Sequence, residues 1–436
     1  MSDEELREAE RAWRANEADQ AALARWIAAR YRAGLPVGLE LLERRVHPAR
    51  CFDLPVPARF WTEDPQGERV DLGETPAGGE GLAVPPLGWL WARPDDALAP
   101  EALPALLGAE PDGLELDLRS DGEPEAVVRC LAGSLLTALR LRCDAPLSAA
   151  ALAALAALPR LVRLGYECAT GAVTREDLAC LARLPNLSAL ELELRSELAP
   201  GALTSLAGAR ALLELSVTAR GRRLDEARAP GDEELAAMVR GLSSLRTLDL
   251  EQSERALTDG CLRALVDSCS CLRSLLLPNA AVSDDGVRVL CGLPLRALRL
   301  SSDLVTDACA DDLARLPLTR LELWTRLTCV GLSRLPTTLT DLVIRVRPQS
   351  GGLSWLGRLK ALRSLSLFLA RDVSDEELGH LGGLERLDSL QLGLKQGGRV
   401  TWRGLLSLGA CSGLSSLTLH EVRRWTVRSR YCGVSP

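Results

Sequence analysis

The fold is decided by two consecutive segments, LTDGCLRALVDSCSCLRSLLL (residues 257–277) and VSDDGVRVLCGLPLRALRL (residues 282–300). Each segment ends in the spacing Leu-x-x-Leu-x-Leu, whose last two leucines alternate with one other residue, as the buried face of a β-strand requires. Each also contains a hydroxyl residue near its start, followed by apolar residues four and seven positions later, which share one face of a helix. Each segment therefore predicts a helix that leads into a strand.

The strand spacing recurs along most of the chain at intervals of about 21 to 33 residues, most of them about 23 to 27. Complete copies begin at Leu136, Leu187, Leu245, Leu272, Leu295, Leu318, Leu362, Leu387 and Leu414. Copies with another apolar residue in the last position begin at Leu161, Leu212 and Leu339. A weaker first copy is predicted from Gly113, with Leu116 and Leu118 in register, which brings the total to about thirteen.

A hydroxyl residue precedes each of several predicted helices, where its side chain can cap the free N–H groups of the first turn. The predicted caps are Ser148, Thr174, Thr258, Ser283, Thr328, Ser374 and Thr401. Ser374 and Glu377 have the spacing of a capping box. Asp259, Asp284 and Asp307 follow their caps and suit the positive end of a helix dipole.

A repeated strand and helix can bury its leucines only against neighbouring copies, so the sequence predicts an α/β solenoid. Its parallel sheet is expected on the inner, concave face and its helices on the outer face. Macromolecular binding is then expected on the side of the sheet that faces solvent.

These segments resemble the leucine-rich repeat family, in the helix-containing and cysteine-containing form of ribonuclease-inhibitor-like, F-box-associated and many bacterial proteins. The resemblance covers about residues 98–420 and implies a curved horseshoe that binds a partner protein. The chain departs from the family pattern after the strands, where an Asn or Cys is mostly absent. Asn279 falls one place early, and Asp303 replaces it in the next repeat.

The flanking regions differ from the repeats. Residues 1–50 are predicted to be mainly helical and weakly resemble the companion domain of some bacterial leucine-rich repeat proteins. Residues 51–97 are rich in Pro and Gly and predict a linker with a few short strands, in which Trp89 and Trp91 seal the first repeat. Residues 421–436 are expected to form a tail or cap.

Composition limits the function further. The 52 basic and 59 acidic side chains give a net charge of −7, which argues against a general nucleic-acid binder. The acidic start and the lack of a long apolar run predict a cytoplasmic protein without a membrane span. We also expect a monomer.

Enzyme signatures are absent from the sequence. It contains neither a phosphate-binding G-x-x-x-x-G-K-[ST] loop nor a G-x-S-x-G nucleophile motif. The three histidines are far apart, and the thirteen cysteines contain no C-x-x-C pair. The sequence thus predicts reduced and mostly buried cysteines, no metal, no cofactor and no catalytic residue.

Alternation along the strands identifies the side chains that point outward. One predicted contact set is acidic and comprises Glu167, Glu191, Glu193, Glu214, Asp249 and Glu251. Such a face fits a basic protein ligand, a merely solvated surface or, least well, paired carboxylates in acid-base catalysis.

The second contact set lies on three successive strands. Trp324, Arg345 and Phe368 take equivalent positions, with Val343 and Glu322 beside them. Trp and Arg are enriched at interface hot spots, and a cation can stack on an aromatic ring. Binding and packing over the rim of the repeat core both explain these aromatics.

The predicted function is a non-enzymatic scaffold that binds a protein partner of unknown identity on the concave face. One alternative is an adaptor that recruits a ubiquitin-ligase component, because residues 35–46 faintly resemble the start of an F-box. Another is an enzymatic activity in the N-terminal region. A charged insertion at residues 218–230 fits either a binding loop or a tolerated surface loop.

Overall fold

The computed structural model of the chain forms two compact units, Met1–Ser196 and Glu197–Pro436. The structure describes residues 58–63, 69–75, 89–94, 102–107, 111–119, 124–195, 197–219, 231–252, 257–277, 280–346, 352–369, 374–393 and 400–420. The predicted N-terminal helices, the F-box-like segment, residues 220–230 of the insertion and the C-terminal tail lie outside these ranges.

The first unit contains a sheet whose strands from β3 onward run parallel. Its strands are β1 (Ala58–Glu63), β2 (Arg69–Thr75), β3 (Trp89–Pro94), β4 (Gly113–Asp117), β5 (Ala138–Cys143), β6 (Arg163–Cys168), β7 (Ala172–Val173) and β8 (Ala189–Leu194). The sheet order is β2-β1-β3-β4-β5-β6-β8, and β1 is antiparallel to both its neighbours. Its α-helices are Leu103–Leu107, Pro124–Cys130, Ala149–Ala154 and Arg175–Ala182, and Leu155–Ala157 is a 3-10 helix.

The second unit contains a longer parallel run. Its strands are β9 (Glu197–Leu198), β10 (Glu214–Ala219), β11 (Thr247–Gln252), β12 (Leu257–Thr258), β13 (Ser274–Leu277), β14 (Ala280–Ala281), β15 (Ala297–Ser302), β16 (Arg320–Thr325), β17 (Asp341–Val346), β18 (Ser364–Leu369), β19 (Ser389–Gly393) and β20 (Ser416–His420). The order is β10-β11-β13-β15-β16-β17-β18-β19-β20, and β12 pairs separately with β14.

Helices alternate with these strands along the chain. The α-helices of the second unit are Asp232–Val239, Asp259–Ser268, Asp284–Leu290, Ala310–Arg315, Cys329–Leu332, Asp375–Gly379 and Trp402–Ser407. Its 3-10 helices are Ala202–Gly208, Asp307–Cys309, Ser354–Arg358, His380–Gly383 and Leu408–Ala410. The predicted α/β class, with parallel strands and intervening helices, is confirmed.

The leucines of successive strands meet in register and form the core. Leu321 pairs with Leu298 on one side and with Leu342 on the other, and the next strands continue the row with Leu365 and Leu390. Each of these side chains is buried. Because a buried leucine contributes about 1.5–3 kcal/mol and its partners in the row lie on neighbouring strands, each repeat depends on the next.

Every predicted hydroxyl cap occupies the N-cap of a helix and accepts a backbone N–H bond. The capping box of Ser374 and Glu377 is present. Thr174 and Asp177 form a second capping box, in which an aspartate takes the place of the usual Glu or Gln. The helices therefore begin where the sequence predicts.

Several caps also link their helix to the preceding repeat. In each case an aspartate of that repeat accepts two hydrogen bonds from the capping residue. The Oδ1 atom of Asp284 accepts from the Thr306 N–H at 2.8 Å, and its Oδ2 atom accepts from the Thr306 hydroxyl at 2.6 Å. We call this series the aspartate ladder. Its rungs are Asp232–Thr258, Asp259–Ser283, Asp284–Thr306, Asp307–Thr328 and Asp375–Thr401.

The ladder explains why its caps are Ser or Thr. The hydroxyl of Thr306 donates to Asp284 and also accepts from the Ala308 N–H at 3.3 Å. A capping aspartate could accept but could not donate. Asp259, Asp284 and Asp307 thus accept hydrogen bonds from the next repeat, in addition to their predicted interaction with the helix dipole.

Glycines next to the ladder leave room for its carboxylates. A Cβ atom on Gly331 would lie 2.3 Å from Oδ1 of Asp307, and one on Gly286 would lie 2.1 Å from Oδ1 of Asp259. Real Cβ atoms do not approach other atoms this closely, so these two glycines are required by the aspartates they face.

The region predicted as a linker contributes β1, β2 and β3 to the sheet. Trp91 is 2% exposed, stacks on Trp61 with ring centroids 5.8 Å apart, and pairs in register with Gly113. A Cβ atom on Gly113 would lie 2.4 Å from the Trp91 ring. Trp91 therefore covers the start of the repeats, as predicted; the side chain of Trp89 lies outside the described residues.

The predicted register of the first copy is wrong by two residues. Leu114 and Leu116, not Leu116 and Leu118, pair with Leu139 and Leu141 of β5. The outward residue in register with Arg140 is consequently Glu115.

Candidate functional site

Three side chains from successive strands meet on the outward side of the sheet in the second unit. The Cζ atom of Arg345 lies 4.5 Å from the centroid of the Trp324 ring and 5.4 Å from that of the Phe368 ring. Because β16 and β18 flank β17, the two rings lie on opposite sides of the guanidinium. We call Trp324, Arg345 and Phe368 the Trp–Arg–Phe cluster.

The cluster is accessible from solvent. Arg345 is exposed, while Trp324 and Phe368 are half-buried. The Phe368 ring has room because its neighbour in register is Gly393, where a Cβ atom would come within 2.7 Å of the ring. The cluster thus combines a fixed cation with two partly exposed aromatic surfaces on rigid strands.

The other two residues predicted for this site lie beside the cluster. Glu322 and Val343 pair in register, and both are half-buried. Glu322 forms an ion pair with Arg299, whose Nε atom lies 3.2 Å from the carboxylate. Arg299 also lies 5.9 Å from the Trp324 ring centroid, so its charge is held between the carboxylate and the indole.

The acidic set divides between the two units. In the first unit, Glu167 pairs in register with Glu193, and Glu191 is the outward neighbour of Gly165. Glu167 is nearly buried and forms two ion pairs. Its carboxylate lies 3.1 Å from Nε of Arg142 and 3.4 Å from Nη2 of Arg195. Arginines of this chain therefore relieve the repulsion between Glu167 and Glu193.

In the second unit, the remaining carboxylates face hydroxyl groups across the strand pair. Asp249 is in register with Ser216, Glu251 with Thr218, and Glu214 with Thr247. Asp249 and Glu251 are half-buried, and Glu214 is exposed. Their predicted role in binding stays a prediction.

Sequence reasoning missed two buried carboxylates in the first unit. Glu115 is 2% exposed and lies 2.9 Å from Arg142 and 3.6 Å from Arg93. Glu63 is 3% exposed and lies within 4 Å of three arginines, one each on β2, β5 and β6. The Leu114-x-Leu116 alternation could have identified Glu115, whereas Glu63 lies on an antiparallel strand outside the repeat pattern.

The described residues contain no group of three or more His, Cys, Asp or Glu side chains placed to hold a metal ion. Burial raises the pKa of the Cys143 and Cys261 thiols to about 12, so both are protonated near neutral pH. A thiol is a poor nucleophile and a poor metal ligand compared with a thiolate. Cys269 is buried as predicted, but its neighbour Cys271 is exposed.

In the parts of the chain that the structure describes, no helix is long and apolar enough to cross a membrane.

Comparison with known proteins returned a structural likeness only. No protein-family profile matches the sequence, and no curated protein matches it. Among solved structures, the chain is similar to an internalin, InlF, from Listeria monocytogenes, with 19% identity and a TM-score of 0.44. The match covers 76% of this chain and 91% of that one.

Proposed function

We propose that this chain, an array of leucine-rich repeats, is a non-enzymatic cytoplasmic scaffold that binds a partner protein through the outward face of β16, β17 and β18. The observation that carries the proposal is the Trp–Arg–Phe cluster. Its arginine is exposed between two rings that are themselves only half-buried.

Physical chemistry favours binding at such a cluster. Aromatic rings bring a large apolar area with few rotatable bonds, and stacking restrains the guanidinium before a partner arrives. Trp and Arg are the residues most often found at the energetic centre of interfaces. The parallel strands underneath are held by a buried leucine core, so the binding surface loses little conformational entropy when a partner binds.

The acidic residues offer a second contact surface for a basic region of the partner. Glu191 and Glu214 are exposed and would be the first to meet it. Glu167 supports this proposal less, because Arg142 and Arg195 already neutralise it.

The test is a comparison of captured proteins from the native host between wild type and the variant Trp324→Ala plus Phe368→Ala. We expect the variant to fold and to lose a specific partner. The matched control is Trp402→Ala, because Trp402 is 61% exposed, lies on a helix and also has an arginine, Arg403, near its ring. The control should retain the partner.

Two results would contradict the proposal. A large fall in the melting temperature of the double variant would identify the two rings as core rather than contact residues. Equal loss of the partner in the Trp402→Ala control would place the interface away from the cluster.

A further inference from the structure

The guanidinium of Arg345 lacks the carboxylate partner that Arg299 and Arg142 have on the outward side of the sheet. Arg299 is paired with Glu322, and Arg142 with Glu115 and Glu167. In the part of the chain that the structure describes, no ion pair joins Arg345 to an acidic side chain. Its contacts there are the two aromatic rings.

The rings occupy the space on both sides of the Arg345 guanidinium and leave its N–H donors for a ligand. A guanidinium carries five donors in one plane, and two of them can bind both oxygens of a carboxylate. Stacking restrains the side chain without using a donor. Arg345 is therefore arranged to receive an anion.

A second donor at the cluster also lacks an acceptor. The Nε1 atom of Trp324 is buried and has no hydrogen-bond partner among the described residues. Leaving a buried donor without an acceptor is unfavourable. Nε1 is closed off from solvent, so a ligand oxygen could bond it only after the Trp324 ring had moved.

We propose that Arg345 is the receptor for a carboxylate of the partner protein, with apolar partner side chains on the rings of Trp324 and Phe368. This inference rests on the proposed binding function and specifies the chemistry of the partner. Among the described residues, Arg299 also lies over the Trp324 ring, but its charge is already matched by Glu322. A single unmatched positive charge suits a singly charged carboxylate, whereas phosphate groups are usually bound by clusters of arginines.

The size of the effect follows from the charges. A hydrogen bond to a charged group contributes about 1.5–3 kcal/mol, which corresponds to about 10- to 100-fold in affinity. Removal of either the guanidinium or the partner carboxylate should weaken binding by that factor.

The probe is a library of random twelve-residue peptides displayed on phage and selected on the full chain. Peptides that bind are synthesised with each Asp or Glu and, separately, with the matching Asn or Gln. Their affinities are measured for wild type, Arg345→Gln, Arg345→Lys and the double variant Trp324→Ala plus Phe368→Ala. Arg320→Gln is the matched control, because Arg320 is exposed on the same side of β16 but has no ring contact in the described structure.

We expect the selected peptides to share an acidic residue next to an apolar one. Its change to the amide should weaken binding to wild type about 10- to 100-fold and have little further effect on Arg345→Gln. Arg345→Lys should bind with intermediate affinity, since an ammonium cannot form the planar bidentate pair. Arg320→Gln should match wild type.

The outcomes separate this inference from the proposed function. Peptides that depend on Trp324 and Phe368 but tolerate the amide change would overturn the carboxylate and leave the binding site in place. Equal losses in Arg320→Gln and Arg345→Gln would also overturn it, because they indicate general charge attraction. Peptides that bind the double aromatic variant as well as wild type, or a selection that enriches nothing, would contradict both.

Discussion

Replacement of Gly331 by alanine should destabilise this protein, although alanine is the better helix former by about 1 kcal/mol. Gly331 lies in the helix Cys329–Leu332, directly beside a rung of the aspartate ladder. Its new Cβ atom would lie 2.3 Å from Oδ1 of Asp307 and 2.7 Å from Cδ2 of Leu327. One of these groups has to move.

The loss of stability comes from the hydrogen bonds that Asp307 accepts. Its carboxylate accepts from the Thr328 N–H at 2.8 Å, the Thr328 hydroxyl at 2.5 Å and the Gly331 N–H at 3.1 Å. Displacement by about 1 Å would break one or two of these bonds, each contributing about 1.5–3 kcal/mol. After the gain in helix propensity, the net loss in the free energy of unfolding should be about 2 kcal/mol.

The assay is chemical denaturation followed by circular dichroism, within a double-mutant cycle. Asp307→Ala alone should cost about 2–3 kcal/mol, because a rung loses its charged acceptor. Gly331→Ala in the Asp307→Ala background should cost much less than in wild type. Hydrogen exchange at the Thr328 amide should quicken in both single variants.

The matched control is Gly379→Ala. Gly379 ends the helix Asp375–Gly379, and a Cβ atom there would have no neighbour within 4 Å. This variant should be as stable as wild type or up to about 1 kcal/mol more stable. A stable Gly331→Ala variant, or additive effects of Asp307→Ala and Gly331→Ala, would refute the steric and hydrogen-bond argument.

Three further predictions concern the first unit and the thiols. Gly113→Ala should lower the free energy of unfolding by about 2 kcal/mol in denaturant titrations, because its Cβ atom would overlap the Trp91 ring; an unchanged midpoint would contradict this packing. Arg119 donates to Asp117 and lowers the pKa of its carboxyl, so the stabilisation is present above the usual pKa of an aspartate near 4 and is lost as the pH falls below it. The melting temperatures of wild type and Asp117→Asn should therefore converge as the pH falls from about 6 to about 2.5, and a constant difference would show that the ion pair is not the cause. Iodoacetamide at neutral pH should modify the exposed Cys271 and spare the buried Cys143, as peptide mass spectrometry would show; equal labelling would mean that the core opens readily.

Much of the fold could be predicted from the sequence because most repeats carry two signals, one for a strand and one for the start of a helix. The alternation of leucines predicts which side of a strand is buried, and a hydroxyl residue predicts the start of the following helix. In the second unit, Leu321 and Thr328 lie where these rules place them. The equivalent strand positions of Trp324, Arg345 and Phe368 likewise predicted that the arginine lies between the rings.

The register of the first copy could not be predicted in the same way. Leu114, Leu116 and Leu118 all satisfy the alternation, and a shift by two residues leaves every side chain on its own face. Only pairing with β5 distinguishes the alternatives. Consequently Glu115 was missed, although it is one of the most deeply buried carboxylates of the first unit.

The remaining contacts depend on residues that are distant in the chain. Glu63 reaches arginines on three other strands, and no local pattern relates them. The aspartate ladder could be predicted in part. Asp284 follows its cap in sequence, but its bond to Thr306 appears only when two repeats are stacked. Local rules thus predicted each repeat better than the joints between repeats.

The aspartate ladder gives this protein a standard joint. Each rung uses the same chemistry, an aspartate from one repeat and a hydroxyl residue from the next, and the repeats that begin at Thr258, Ser283 and Thr306 carry both halves. Loss of residues 283–305 through recombination between copies would bring Thr306 to the place of Ser283, where it could bond Asp259 in the same way. Repeats joined like this are interchangeable, so the length of the array can change in evolution without a new joint having to evolve.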